Sequence, residues 1–139
     1  MLYVFDTNIC RLAMEEHPSI SRHVNALPVG DKVCTTMISF GESVGGWLPY
    51  CRRAGIGKQR SHYYGLLYEV FVFYRGMICL PFDDAAGLVF EQLRAQQVRV
   101  KPNDLSIAAI TLSVNGVLIT RNLVDFERVP GLRIEDWAK

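Results

Sequence analysis

Leu2-Tyr3-Val4-Phe5-Asp6-Thr7-Asn8 is the stretch on which the fold turns. Residues 2–5 are continuously apolar, as a strand covered on both faces requires. The run stops at an acid, and a helical pattern over 8–16 follows until Pro18, because the residue before a proline avoids helical backbone. A carboxylate at the carboxyl end of a first, buried strand stands where open α/β sheets place their binding crevice.

The same alternation recurs downstream. A short helix is predicted over 20–27, closed by Pro28 and Gly30. The Val- and Thr-rich residues 32–37 suit a second strand. A helix follows over 39–53, then a loop over 54–60 with two glycines, then a helix over 61–74. Residues 77–80 form a third strand ended by Pro81. The helix opening at Asp83 places Ala85, Ala86, Val89 and Leu93 on one face. The next, from Asn103, has Leu105, Ala108, Ala109 and Leu112 at core spacing. A fourth strand covers 117–120, a turn or short helix 122–127, and a fifth strand 132–134. The expected fold class is α/β: one domain over residues 1–139, in three α/β/α layers about a mostly parallel sheet of four to five strands.

Composition excludes several classes. Half of the 139 residues are hydrophobic, and the net charge is only +1, so a nucleic-acid partner must be held by a local basic patch. Cys10, Cys34, Cys51 and Cys79 form no Cys-x-x-Cys pair, which argues against a zinc ribbon and for reduced, packed thiols. No apolar stretch approaches the ~20 residues of a membrane helix, and the N-terminus lacks the pattern of a signal peptide. A cytoplasmic protein is expected.

The chemistry rests on acids. Asp6 reads either as a helix N-cap or as a site residue, since Thr7 or Asn8 could do the capping. Ser39 and Glu42 match a capping box, yet Glu42 also falls in the first turn after the second strand, beside Asp6. Asp104 opens a helix, with Asn103 as its expected N-cap, and complements the helix dipole. Asn122 and Asp125 follow the fourth strand and also suit a turn; Asp83 and Asp84 read as caps. Jointly, several acids near one sheet edge would raise each other's pKa values unless a cation sits among them. Hard oxygen donors favour Mg²⁺ or Mn²⁺, and no His/Cys cluster competes.

Four motifs in order carry a resemblance. They are Tyr3-Val4-Phe5-Asp6-Thr7-Asn8, Ile38-Ser39 with Glu42, Asp104-Leu105-Ser106-Ile107-Ala108-Ala109, and Leu118-Ile119-Thr120-Arg121-Asn122 through Asp125-Phe126 to Asp136-Trp137. From end to end the chain resembles the PIN-domain ribonucleases, and within them the VapC toxins of toxin–antitoxin pairs. That resemblance implies Mg²⁺- or Mn²⁺-dependent hydrolysis of RNA, leaving a 5′-phosphate and a 3′-hydroxyl. It makes Asp6, Glu42 and Asp104 the metal-binding acids. The fourth position is Asn122, where many relatives have aspartate, or else Asp125; Thr120 supports the site through its hydroxyl, and Thr7 and Asn8 orient Asp6.

Candidates for gripping RNA are Arg11, Arg121 and above all the loop cluster Arg52, Arg53, Lys58 and Arg60. The aromatic run Tyr63, Tyr64, Tyr68, Phe71, Phe73, Tyr74 reads as packing, in the core, in a homodimer or under another protein. The resemblance further implies a homodimer, a higher assembly with a VapB-like antitoxin, and an antitoxin arginine entering the acidic groove. The alternatives are a housekeeping RNA-processing nuclease and a catalytically weak binding module of the same fold, which Asn122 would allow. A haloacid-dehalogenase-type phosphatase would need a second acid where Asn8 stands.

Overall fold

In a computed structural model describing residues 1–139, β1 (Leu2–Phe5) is the centre of a five-stranded, wholly parallel sheet. Its neighbours are β2 (Lys32–Thr36) and β4 (Val117–Ile119); β3 (Ile78–Leu80) and β5 (Arg133–Glu135) form the edges, in the order β3-β2-β1-β4-β5. Val4 pairs with Cys34 on one side and Leu118 on the other, so the apolar motif is flanked by apolar strands. The chain starts at the middle, builds outward through β2 and β3, then returns to build β4 and β5 on the other side. That reversal opens a crevice beyond the carboxyl end of β1.

Seven helices cover the sheet: α1 (Thr7–Met14), α2 (Pro18–Asn25), α3 (Met37–Arg53), α4 (Gly57–Arg75), α5 (Asp84–Ala95), α6 (Pro102–Ser113) and α7 (Leu123–Phe126). Strand side chains alternate between two cores. Val4, Cys34 and Leu118 pack with Leu93, Leu105, Ala108 and Phe126 from α5, α6 and α7. Phe5, Val117 and Ile119 pack with Ile9, Ile20, Val70, Tyr74 and Trp137 on the opposite face. The three expected layers are therefore present. At Gly116, before β4, a Cβ would stand 3.2 Å from both the Leu2 carbonyl and Val4 Cγ2, so the close approach of this connection to β1 favours glycine.

Element boundaries moved in three informative places. Pro18 does not merely stop the first helix but begins α2, where its missing N–H costs nothing. Helix α3 starts two residues earlier than Ser39, with Thr36 as N-cap, its hydroxyl accepting from Ser39 N at 3.1 Å. The expected loop over 54–60 shrinks, because α4 begins at Gly57 and takes Lys58 and Arg60 into its first turn. Along α4 only Val70 and Tyr74 are buried, while Tyr64, Tyr68 and Phe71 are 42%, 61% and 49% exposed. The aromatic run thus packs only partly within this chain. All four cysteines are free thiols, three of them buried. No helix is long and apolar enough to cross a membrane.

Candidate active site

Strand β1 ends at Asp6, which is buried at the crevice floor with 5% exposure. Its backbone N–H continues the ladder to the Ile119 carbonyl at 3.1 Å, so the residue is held by both central strands. Asp6 is itself the N-cap of α1: Oδ1 accepts from Ile9 N at 2.9 Å. Neither Thr7 nor Asn8 takes that task, and capping and a site role coincide in one carboxylate. Burial pushes the Asp6 carboxyl up to about 6; the Thr120 hydroxyl and the Ile9 N–H oppose the rise, while the charges of Asp104 and Glu42 add to it.

The capping box expected of Ser39 and Glu42 does not form, because Thr36 caps α3 instead. Glu42 is consequently free to face the crevice. Its Oε1 accepts from Thr7 Oγ1 at 2.6 Å and its Oε2 from Asn103 Nδ2 at 3.4 Å. Thr7 therefore orients Glu42, not Asp6, while Asn8 is exposed and makes no side-chain hydrogen bond. Thr7 Oγ1 also lies 3.0 Å from Ser39 Oγ, which lies 3.4 Å from Thr36 Oγ1. A hydroxyl has one proton to give, and the short contact to a carboxylate takes that of Thr7. Ser39 Oγ accepts from Thr36 and faces Thr7 Oγ1, so the three hydroxyls pack together behind Glu42. Sequence reasoning missed Thr36, Ser39 and Asn103 in this part; Thr36, a hydroxyl residue between strand and helix, was the available signal.

Asp104 stands in the first turn of α6, whose N-cap is Lys101 and not Asn103. It is half-buried and accepts no side-chain or backbone hydrogen bond, so its oxygens are uncommitted. Partial burial raises its pKa, reinforced by Glu42 and Asp125 and opposed by Lys101. Past β4, Thr120 is fully buried and its hydroxyl accepts from Asn122 N at 2.9 Å. Asn122 gives its side-chain amide to Asp125 Oδ2 at 2.8 Å, and Arg128 lies 3.6 Å from the other oxygen of Asp125.

Asp6, Glu42 and Asp104 thus act on one another electrostatically across one crevice. No three acid, histidine or cysteine side chains are arranged to hold an ion as they stand. The acids are turned to protein donors instead: Asp6 to Ile9, Glu42 to Thr7 and Asn103, Asp125 to Asn122. As a donor set, hard oxygens on mutually repelling carboxyls suit a divalent cation such as Mg²⁺.

A groove of about 990 Å³ leads away from Glu42 between α1, α3 and α4, with Arg11, Trp47, Tyr68 and Phe73 on its walls. Arg121 is exposed beside Thr120 at the crevice rim. The other basic candidates lie elsewhere. Arg52 is ten residues along α3 from Glu42, about 15 Å of helix. Arg60 donates to the Cys51 and Ala54 carbonyls at 3.3 Å each and covers Tyr64, and Arg53 covers Tyr50. The structure does not bring Arg52, Arg53, Lys58 and Arg60 to the acids.

Comparison with known proteins gives the lineage of this arrangement. No family model matches the chain. The chain is 33% identical to Ribonuclease VapC1 of Haemophilus influenzae (strain R2866) over 146 aligned residues, covering 100% of both. The chain belongs to the VapC ribonuclease family. A second VapC relative, named tRNA(fMet)-specific endonuclease VapC, from Salmonella typhimurium, is 30% identical over 98% of each chain. A chain in the structure of VapBC-1 from nontypeable Haemophilus influenzae superposes with a TM-score of 0.80 at 26% identity, covering 100% of both chains. The VapC fold is therefore shared over the whole length, including the strand ends that carry the acids.

Proposed function

We propose that this VapC-family protein is the endoribonuclease toxin of a VapBC-type pair and hydrolyses RNA phosphodiester bonds with Mg²⁺ or Mn²⁺. The observation that carries the reading is the meeting of Asp6, Glu42 and Asp104 from β1, α3 and α6 at one switch-point crevice. Relatives named as ribonucleases, one of them as specific for tRNA(fMet), point to RNA and make tRNA the first substrate to try.

Asp6, Glu42 and Asp104 would hold the cation, which when bound supplies charge neutralisation at the phosphate and activation of a water. Asp6 is the fixed member, because its cap to α1 and the ladder bond to Ile119 set both its backbone and its carboxylate. Thr7, packed against Ser39 and Thr36, aims Glu42, as partners behind a ligand do. Asp104 brings uncommitted oxygens. At the fourth corner Asn122 and Asp125 act as one unit: the amide holds the carboxylate toward Asp104, and Thr120 supports Asp6 from below.

The half-apolar groove beside Glu42 and the exposed aromatics of α4 suit a protein partner. A VapB-like antitoxin is the occupant proposed, in keeping with the solved VapBC-1 relative. An antitoxin arginine would find clustered carboxylates, and a homodimer would present two such sites. The test is to induce the chain briefly, map RNA ends, and co-express any small adjacent reading frame. New 5′-phosphate ends that vanish in Asp104→Asn, and growth arrest relieved by the neighbour, are expected. Intact RNA under full expression of soluble protein overturns the reading.

A further inference from the structure

The two flanks of the crevice differ in charge. On the α1/α4 flank the groove walls include Glu15, Glu16 and Glu69 against Arg11. On the opposite flank lie the connection from α5 to α6 and the segment around α7, with Arg99, Lys101, Arg121 and Arg128 against Asp125 and the exposed Glu127. Local contacts tie these basic residues to the acids. Lys101 precedes Asp104 by one turn and is close enough for its charge to act on that carboxyl. Arg128 lies 3.6 Å from Asp125 and donates to the Arg99 carbonyl at 3.1 Å, closing a recess that Gln96, Gln97, Val98 and Pro130 complete.

Lys101 is also a poor choice for its position. A helix start favours Ser, Thr, Asp or Asn and disfavours a cation at the positive end of the dipole. Lys101 caps nothing with its side chain, and neither it nor Arg99 or Arg121 forms an ion pair. Residues that break a local rule with no structural return mark functional positions.

We infer that the RNA strand crosses the acids toward the α5–α6 connection, with Arg99 and Lys101 as phosphate-gripping residues and Arg121 and Arg128 extending the basic track. This rests on the nuclease reading and deepens it. A polyanion is repelled along the Glu15–Glu16–Glu69 flank and attracted along the other, and neutralising phosphates with lysine and arginine dominates such binding. The α3–α4 cluster of Arg52 and Arg53 takes no part, being about 15 Å of helix from Glu42.

The experiment measures affinity for fluorescein-labelled, mixed-sequence single-stranded RNA across a salt series, on the full chain carrying Asp6→Asn to prevent cleavage. Adding Arg99→Ser and Lys101→Ser should flatten the slope of log affinity against log salt by about 0.7 per lost contact. At 0.1 M salt that corresponds to roughly five-fold weaker binding per contact. The conservative pair Arg99→Lys and Lys101→Arg should restore both slope and affinity, while Arg52→Ser with Arg53→Ser should leave them unchanged. Both rim residues are exposed, and unchanged circular dichroism will show that folding is intact. Parental slope and affinity in the rim variants overturn the path alone, as does loss confined to the Arg52 and Arg53 variants. Absence of salt-dependent RNA binding in the parent overturns the nuclease reading and the path with it.

Discussion

Replacing Asp6 by asparagine should stabilise the metal-free protein while abolishing its activity. Asp6 is buried at the crevice floor, and its carboxyl is pushed from an ordinary 3.8 to about 6. The folded state therefore binds more protons than the unfolded state between roughly pH 4 and 6. For an acid with a raised folded pKa, the stability present at low pH is lost as pH climbs through that window. The shift of about two units is worth about 3 kcal/mol at neutral pH. Asparagine does not ionise, and its Oδ1 can still accept from Ile9 N, so the α1 cap survives. Its amide must find a partner near Thr120, a rearrangement costing about 1 kcal/mol. The net gain is then about 2 kcal/mol, or roughly 7 °C in Tm for a chain of this size. Urea unfolding in EDTA at pH 7.5 and pH 4.5 is the assay. The variant should be the more stable at pH 7.5, the two proteins should converge at pH 4.5, and Mg²⁺ should raise only the parent. A variant less stable than the parent at pH 7.5, or a gap that ignores pH, would refute the electrostatic reasoning.

Other outcomes follow from the same geometry. Thr7→Val removes the 2.6 Å bond to Glu42 and should cut cleavage about 10- to 100-fold with a weaker Mg²⁺ response, while Thr7→Ser retains most activity; a Mg²⁺ titration of cleavage rate checks both. Asn122→Asp replaces the 2.8 Å amide bond to Asp125 by a like charge, so metal-free Tm should fall and the Mg²⁺-induced rise in Tm should grow. In the core, Ile107→Ala should cost about 2–5 kcal/mol of unfolding free energy without altering the cleavage sites in the surviving folded protein.

The sheet was legible because buried parallel strands are short, apolar and cleanly punctuated. Residues 2–5 and 117–119 offer nothing but a covered strand, and each ends at a polar residue that the crevice uses. The site was legible in its acids but not in their supports. Glu42 read equally well as part of a capping box, because Ser39 stands three residues before it, and only its position beside Asp6 favoured the site. What decided otherwise was Thr36, three residues before the expected start of the helix, which takes the Ser39 N–H and releases Glu42. Asp6 posed the reverse difficulty: capping and catalysis looked like competing readings, although one carboxylate has two oxygens and can serve both. The basic cluster around Arg52 to Arg60 was dense in sequence, but helix rise carries it away from Glu42. Arg99 and Lys101 stand two residues apart, but only the fold sets them beside Arg121 and Arg128.

RNA cleavage by purified protein, with RNA ends identified, tests the central claim most directly. Cleavage should require Mg²⁺ or Mn²⁺, leave 5′-phosphate ends, and disappear in Asp6→Asn and Asp104→Asn proteins whose circular dichroism matches the parent. Undiminished cleavage by a pure, folded Asp6→Asn variant would contradict the assignment of the crevice as the active site.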